Sequence, residues 1–117
     1  MRLVQALAAE PITINPSAES WGEKRISVTV TAAGVWGVGF SCVCLPRATA
    51  VLGVRFVKND IEITRRIRQF RMMPTMEREI YLPFVTDALA NNDDIGVQFY
   101  SDGAEVSLAD LRLCVFQ

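Results

Sequence analysis

The sequence predicts an all-β protein, a sandwich of two antiparallel sheets with about eight strands. Three observations carry this. Residues 34–45 (Gly-Val-Trp-Gly-Val-Gly-Phe-Ser-Cys-Val-Cys-Leu) place Trp36, Val38, Phe40, Cys42 and Cys44 in one apolar row at every second position, the side-chain period of a strand. Shorter alternating runs recur along the chain at regular spacing, separated by turn residues. No stretch has the 3.6-residue apolar period of a helix longer than two turns.

Taken in order, residues 1–10 are expected as an N-terminal arm, helical or extended, ahead of a single domain over residues 11–117. The arm loosely resembles a signal peptide, but Gln5 interrupts its short apolar segment and cleavage is not expected. Pro11 to Pro16 reads as a short edge strand, and Ser17 to Gly22 as a loop carrying Trp21. Lys24 to Ala32 follows as a strand with Ile26, Val28 and Val30 inward. Ala33-Gly34 turns the chain into the long strand already described, which Pro46-Arg47 ends.

Thr49 to Lys58 points Leu52, Val54 and Phe56 to one face, and Lys58-Asn59-Asp60-Ile61 is a hairpin signal, because Asn and Asp tolerate left-handed backbone. Its partner is expected over 61–67 with Ile61 inward, followed by a loop from Gln69 to Thr75. Met76 to Phe84 is a strand with Ile80, Leu82 and Phe84 inward; Asp87 to Asp94 is a loop, with one helical turn at 87–90. A strand through Ile95, Val97 and Phe99 ends at Ser101-Asp102-Gly103. In the last strand, Glu105 to Phe116, the alternation slips by one residue at Ala109-Asp110, as a β-bulge requires.

Half of the 117 residues are hydrophobic and 21% are charged. That is more apolar material than one modest core needs, so part of it is expected at an interface. The row between the large residues of 34–45 supports this: Val35, Gly37, Gly39, Ser41, Val43 and Leu45 are small or apolar where a solvated face would be polar. The net charge of −1 exerts no pull toward nucleic acid or an anionic membrane, and neither is expected as a partner. Cys42, Cys44 and Cys114 are an odd number without disulfide spacing and are expected to be free thiols, which suits folding in a reducing cytoplasm.

The order of elements resembles the trimeric jelly rolls of the tumour necrosis factor and complement globular-head superfamily, relatives of which occur in phage and bacterial surface proteins. Ala33-Gly34-Val35-Trp36 is similar to that family's Gly-x-aromatic entry into its central strand. Val54 to Asp60 resembles its strand ending in a Lys-Asn-Gly hairpin, with Asp60 in place of Gly. Leu89 to Ile95 resembles its Leu-x-x-Gly-Asp-x-Val segment, and the strand ending at Phe116-Gln117 its C-terminal core strand. The resemblance implies a jelly roll and a homotrimer, packed through a sheet edge and apolar strand faces; Val35, Gly37, Gly39, Val43, Leu45 and Phe116 are the candidate interface. The final strand is also similar to the closing strand of carbohydrate-binding jelly rolls.

Little in the sequence serves catalysis. With no histidine there is no Ser-His triad, and no glycine-rich phosphate loop follows a strand. No enzyme activity, cofactor or catalytic residue is expected. Asp87, Asn91, Asn92, Asp93 and Asp94 cluster oxygens without a calcium-loop spacing, so no metal site is expected either. Arg65, Arg66, Arg68 and Arg71 are the one charge cluster, readable as an anionic-partner contact or as a solvated strand. Trp21, Tyr81 and Tyr100 are the aromatics expected at the surface, where they are candidate glycan contacts. The function expected is structural: a homotrimeric jelly roll stabilising or decorating a larger assembly, most concretely a phage capsid decoration protein on the virion surface after assembly in the host cytoplasm. The alternative is a carbohydrate- or receptor-binding module.

Overall fold

The alternating row of residues 34–45 forms the longest strand of the molecule. The computed structural model describes residues 2–8, 10–17, 20–62, 68–74 and 76–117, with 62, 68 and 83–87 described by backbone alone. Ten strands are present among the described residues: β1 (Leu3–Ala8), β2 (Ile12–Ile14), β3 (Ile26–Thr29), β4 (Gly34–Pro46), β5 (Ala50–Lys58), β6 (Ile61–Glu62), β7 (Arg68–Met72), β8 (Arg78–Leu89), β9 (Asp94–Asp102) and β10 (Val106–Phe116). Among the described residues there is no helix. At ~3.3 Å per residue, the 13 residues of β4 have a length comparable to the molecule's longest dimension, 42 Å.

Two antiparallel sheets make a jelly-roll sandwich. Sheet A has the order β1-β10-β4-β8, with β2 also on β10; sheet B has the order β3-β9-β5-β6, with β7 also on β5. From β3 to β5, and again from β8 to β10, successive strands lie in opposite sheets, so the chain crosses the end of the sandwich each time. The core fills the space between. Trp36, Val38, Phe40, Cys42 and Cys44 of β4 are all buried, facing Leu52, Val54 and Phe56 of β5 and Ile95, Val97 and Phe99 of β9. The Phe40 and Phe99 rings meet across the sandwich at 5.7 Å. Trp36 is large enough to need a polar outlet, and its indole N–H donates to the Ala32 carbonyl at 3.0 Å.

The phase slip in the last strand is a bulge. Register with β4 shifts between Ala109 and Arg112, and Asp110 has a φ of 52°. Asp accepts that left-handed backbone better than a branched residue. The Asp110 carboxylate is exposed. The bulge also divides the edge: β1 pairs with β10 on one side, from Leu111 to Phe116, and β2 on the other, from Val106 to Leu108.

Four expectations are corrected. Residues 3–8 are an edge strand bonded to the chain's own β10, with Val4, Ala6 and Ala8 packed on the core. The expected loop after the hairpin contains β7, which pairs Leu52 with Phe70 and Ala50 with Met72. The helical turn at 87–90 is instead the end of β8, which is an edge strand and so tolerates Pro83. Ile61, expected on the apolar side of its strand, is 72% exposed, and Ile63 and Ile67 of the same row lie outside the described residues.

Candidate functional site

The outer face of sheet A is built by register. Leu3, Phe116 and Gly37 lie side by side across β1, β10 and β4, and Gln5, Cys114 and Gly39 form the next row. Leu7, Arg112, Ser41 and Tyr81 then cross all four strands. Ala109 and Val43 follow, then Ser107 and Leu45. The large apolar residues here stand in solvent, from Leu45 at 46% to Val35 at 64% exposed, with Leu3, Leu7 and Tyr81 between. A sheet face this apolar is unusual for a surface meeting only water.

The two glycines of the face have different surroundings. A methyl on Gly37 would lie 2.5 Å from the Phe116 ring, so that glycine is roofed by its own chain. Phe116 is half-buried in consequence. Gly39 instead opens onto a cleft of about 280 Å³ shared with Ser41, Tyr81, Arg112 and Cys114. The Cys114 thiol donates to the Gln5 side-chain oxygen at 3.8 Å. Tyr81 donates its hydroxyl to Glu79, which holds the phenol above its ordinary pKa. All three cysteines are free thiols. Cys42 and Cys44 lie 3.8 Å apart in the core, and the hydrogen bond between them together with burial pushes the Cys42 thiol far up, away from nucleophilic use.

The outer face of sheet B is different, because the chain covers it. Tyr100 crosses over Gly53, where a methyl would be 1.8 Å from a ring carbon. Trp21 packs edge-to-face against Tyr100 at 4.7 Å, and the Arg55 guanidinium lies 4.3 Å from the Trp21 ring centre. Arg55 donates to the Gln98 oxygen at 2.9 Å, and Gln69 donates to the Tyr100 hydroxyl. Tyr100, expected to be exposed, is therefore buried; Trp21 is half-buried and Tyr81 exposed.

Beside Trp21, Lys24 donates to Asp94 and lies 3.3 Å from Asp60, and the Asp94 bond foremost raises its pKa. Asp93 accepts from the Ala90 amide at 2.8 Å and from Asn59 at 3.0 Å, bonds that lower its pKa. These carboxylates tie the turn at Asn59 to the loop before β9. Among the described residues no group of three or more His, Cys, Asp or Glu is placed to hold a metal ion.

Arg65 and Arg66 lie outside the described residues, and Arg68 begins β7 with its backbone alone described. Arg71 is exposed on β7, where its carbonyl accepts from Arg78 at 3.2 Å. Sequence reasoning missed Leu3, Leu7 and Cys114 on sheet A, and the grouping of Lys24, Asp60, Asp94 and Gln98 on sheet B. The alternation of Leu3 and Leu7 with Val4, Ala6 and Ala8 was a strand signal for the first set. The second depends on contacts distant in sequence.

No family model matches this chain, and no curated protein matches its sequence. Among solved structures, the chain is similar to one in the structure of infectious bursal disease virus Gx strain, with a TM-score of 0.62 and 13% identity. The match covers 97% of this chain and 31% of that one, and at this identity it is a likeness of fold. Dimeric latent PorU from Porphyromonas gingivalis gives a TM-score of 0.42 and 14% identity over 93% of this chain and 13% of that one. The resemblance to the trimeric tumour necrosis factor and complement-head jelly rolls thus rests on an all-β two-sheet sandwich, without a family model behind it.

Proposed function

We propose that this chain is a non-enzymatic structural protein that associates with copies of itself and stabilises or decorates a larger assembly, most concretely a phage capsid as a decoration protein. One observation carries the reading: the exposed apolar face of sheet A, where Leu3, Leu7, Val35, Leu45 and Tyr81 stand around the Gly39 cleft. Covering such a face removes apolar surface from water at roughly 25 cal/mol per Å². The fold supports the reading further, through its likeness to a chain in a virus structure. Three copies arranged around an axis, as the family resemblance implies, would each bury this face or its edge.

Sedimentation of the full chain tests it. The expected result is a mass three times the 13.0 kDa of one chain. A twofold mass would keep the face as an interface and overturn the three-fold arrangement. A single-chain mass at high concentration would overturn self-association altogether.

A further inference from the structure

We infer that the cleft beside Trp21 on sheet B is a binding site for a neutral saccharide. The cleft measures about 520 Å³ and is lined by Trp21, Gly22, Glu23, Lys24, Asp60 and Gln98, a volume within the roughly 300–1,000 Å³ range of small-ligand sites. Its wall is one aromatic ring among polar groups of both kinds, which is what a sugar presents in mirror image: an apolar C–H face and a rim of hydroxyls.

The ring is held before any ligand arrives. Tyr100 fixes Trp21 at one edge, Gly53 lets Tyr100 lie low enough to do so, and Arg55 stacks against the indole. Gln98 accepts the Arg55 bond on its oxygen, and that leaves its amide nitrogen as a donor. Lys24 is positioned by Asp94 and Asp60, so its ammonium stays at the cleft instead of sweeping through solvent. Glu23 supplies an exposed acceptor. Such preorganisation lowers the entropy lost on binding.

The charges decide the ligand class. Within the lining, an anion meets the carboxylates of Glu23 and Asp60, and a cation meets the Lys24 ammonium, which Asp60 and Asp94 hold in place. A neutral polyol meets donors and acceptors with no like-charge cost. The site lies on the opposite sheet from the proposed assembly face, so it stands or falls separately from that reading.

The two tryptophans provide the test. In the ¹⁵N-labelled full chain, the indole N–H of Trp36 is buried and bonded to Ala32, an internal reference, while that of Trp21 reports on the cleft. Titration with maltose, cellobiose, lactose and N,N′-diacetylchitobiose is expected to shift the Trp21 resonance saturably for at least one sugar and leave Trp36 in place. Glu23→Gln and Gln98→Ala, which spare the Trp21–Tyr100 contact, are expected to weaken that sugar about tenfold, ~1.4 kcal/mol. Glucuronic acid and glucosamine are expected to bind more weakly than the neutral sugar. The proposal is overturned if all four disaccharides leave Trp21 unmoved at tens of millimolar. It is equally overturned if both variants bind like the parent chain, or if a charged sugar binds best; in those cases Trp21 serves only to cover sheet B.

Discussion

Each sheet contains one glycine that exists for an aromatic ring on the neighbouring strand. Gly37 pairs with Phe116 in register, and Gly53 with Tyr100. The rings lie over the bare backbone and cover peptide groups that a side chain would otherwise shield. The two pairs differ in how freely the ring can move. Phe116 is half-buried at the rim of an open face, whereas Tyr100 is held by Trp21 and Gln69. A methyl at Gly53, 1.8 Å from the ring, must dislodge that whole arrangement. Gly53→Ala is therefore expected to cost about 3 kcal/mol, the upper end for overpacking, and Gly37→Ala about 1 kcal/mol. Urea denaturation midpoints measure both, and equal losses would show that Tyr100 is not the more tightly fixed ring.

At the scale of strands, what could be read in advance was whatever faces the core at a period of two. The inward rows of β3, β4, β5 and β10 all lie where alternation placed them, and the Asp110 bulge sits at the slip. Strands at the margins were harder. β7 hides Phe70 and Met72 among arginines, and alternation there covers only five residues. The candidate sites were less legible, because an interface row looks like surplus core, and the cleft at Trp21 joins residues up to 77 positions apart, from Trp21 to Gln98. The N-terminal strand is where the difference has a measurable consequence. A separable arm could be removed without harm to the domain, but β1 covers the β10 backbone from Leu111 to Phe116 and packs Val4, Ala6 and Ala8 on the core. Deleting residues 1–8 is expected to lower stability by roughly 3 kcal/mol, about 1 kcal/mol for each small apolar side chain, with hydrogen bonds near balance against water. An unchanged urea midpoint would restore the arm.

On the scale of the whole molecule, the sandwich has two unlike outer faces. The chain roofs sheet B itself, with Trp21, Arg55 and Tyr100, and leaves the large side chains of sheet A to solvent. The association proposed above would use sheet A on the strength of that asymmetry, and charge placement can separate the faces. Val35 and Leu7 are more than half exposed in the single chain, so a lysine at either costs the fold little, within about 0.5 kcal/mol. In a covered interface the same lysine must lose its hydration, a penalty of several kcal/mol. Val35→Lys and Leu7→Lys are thus expected to reduce the sedimenting mass to that of one chain, with an unfolding midpoint near the parent's. Thr29→Lys, on the exposed side of β3 in sheet B, adds the same charge and is expected to leave the oligomer intact. Because the contact is apolar, added sodium chloride is expected to leave the parent's mass unchanged, whereas an assembly held by surface ion pairs would weaken. Dissociation by Thr29→Lys, with Val35→Lys and Leu7→Lys still assembled, would move the interface to the other sheet.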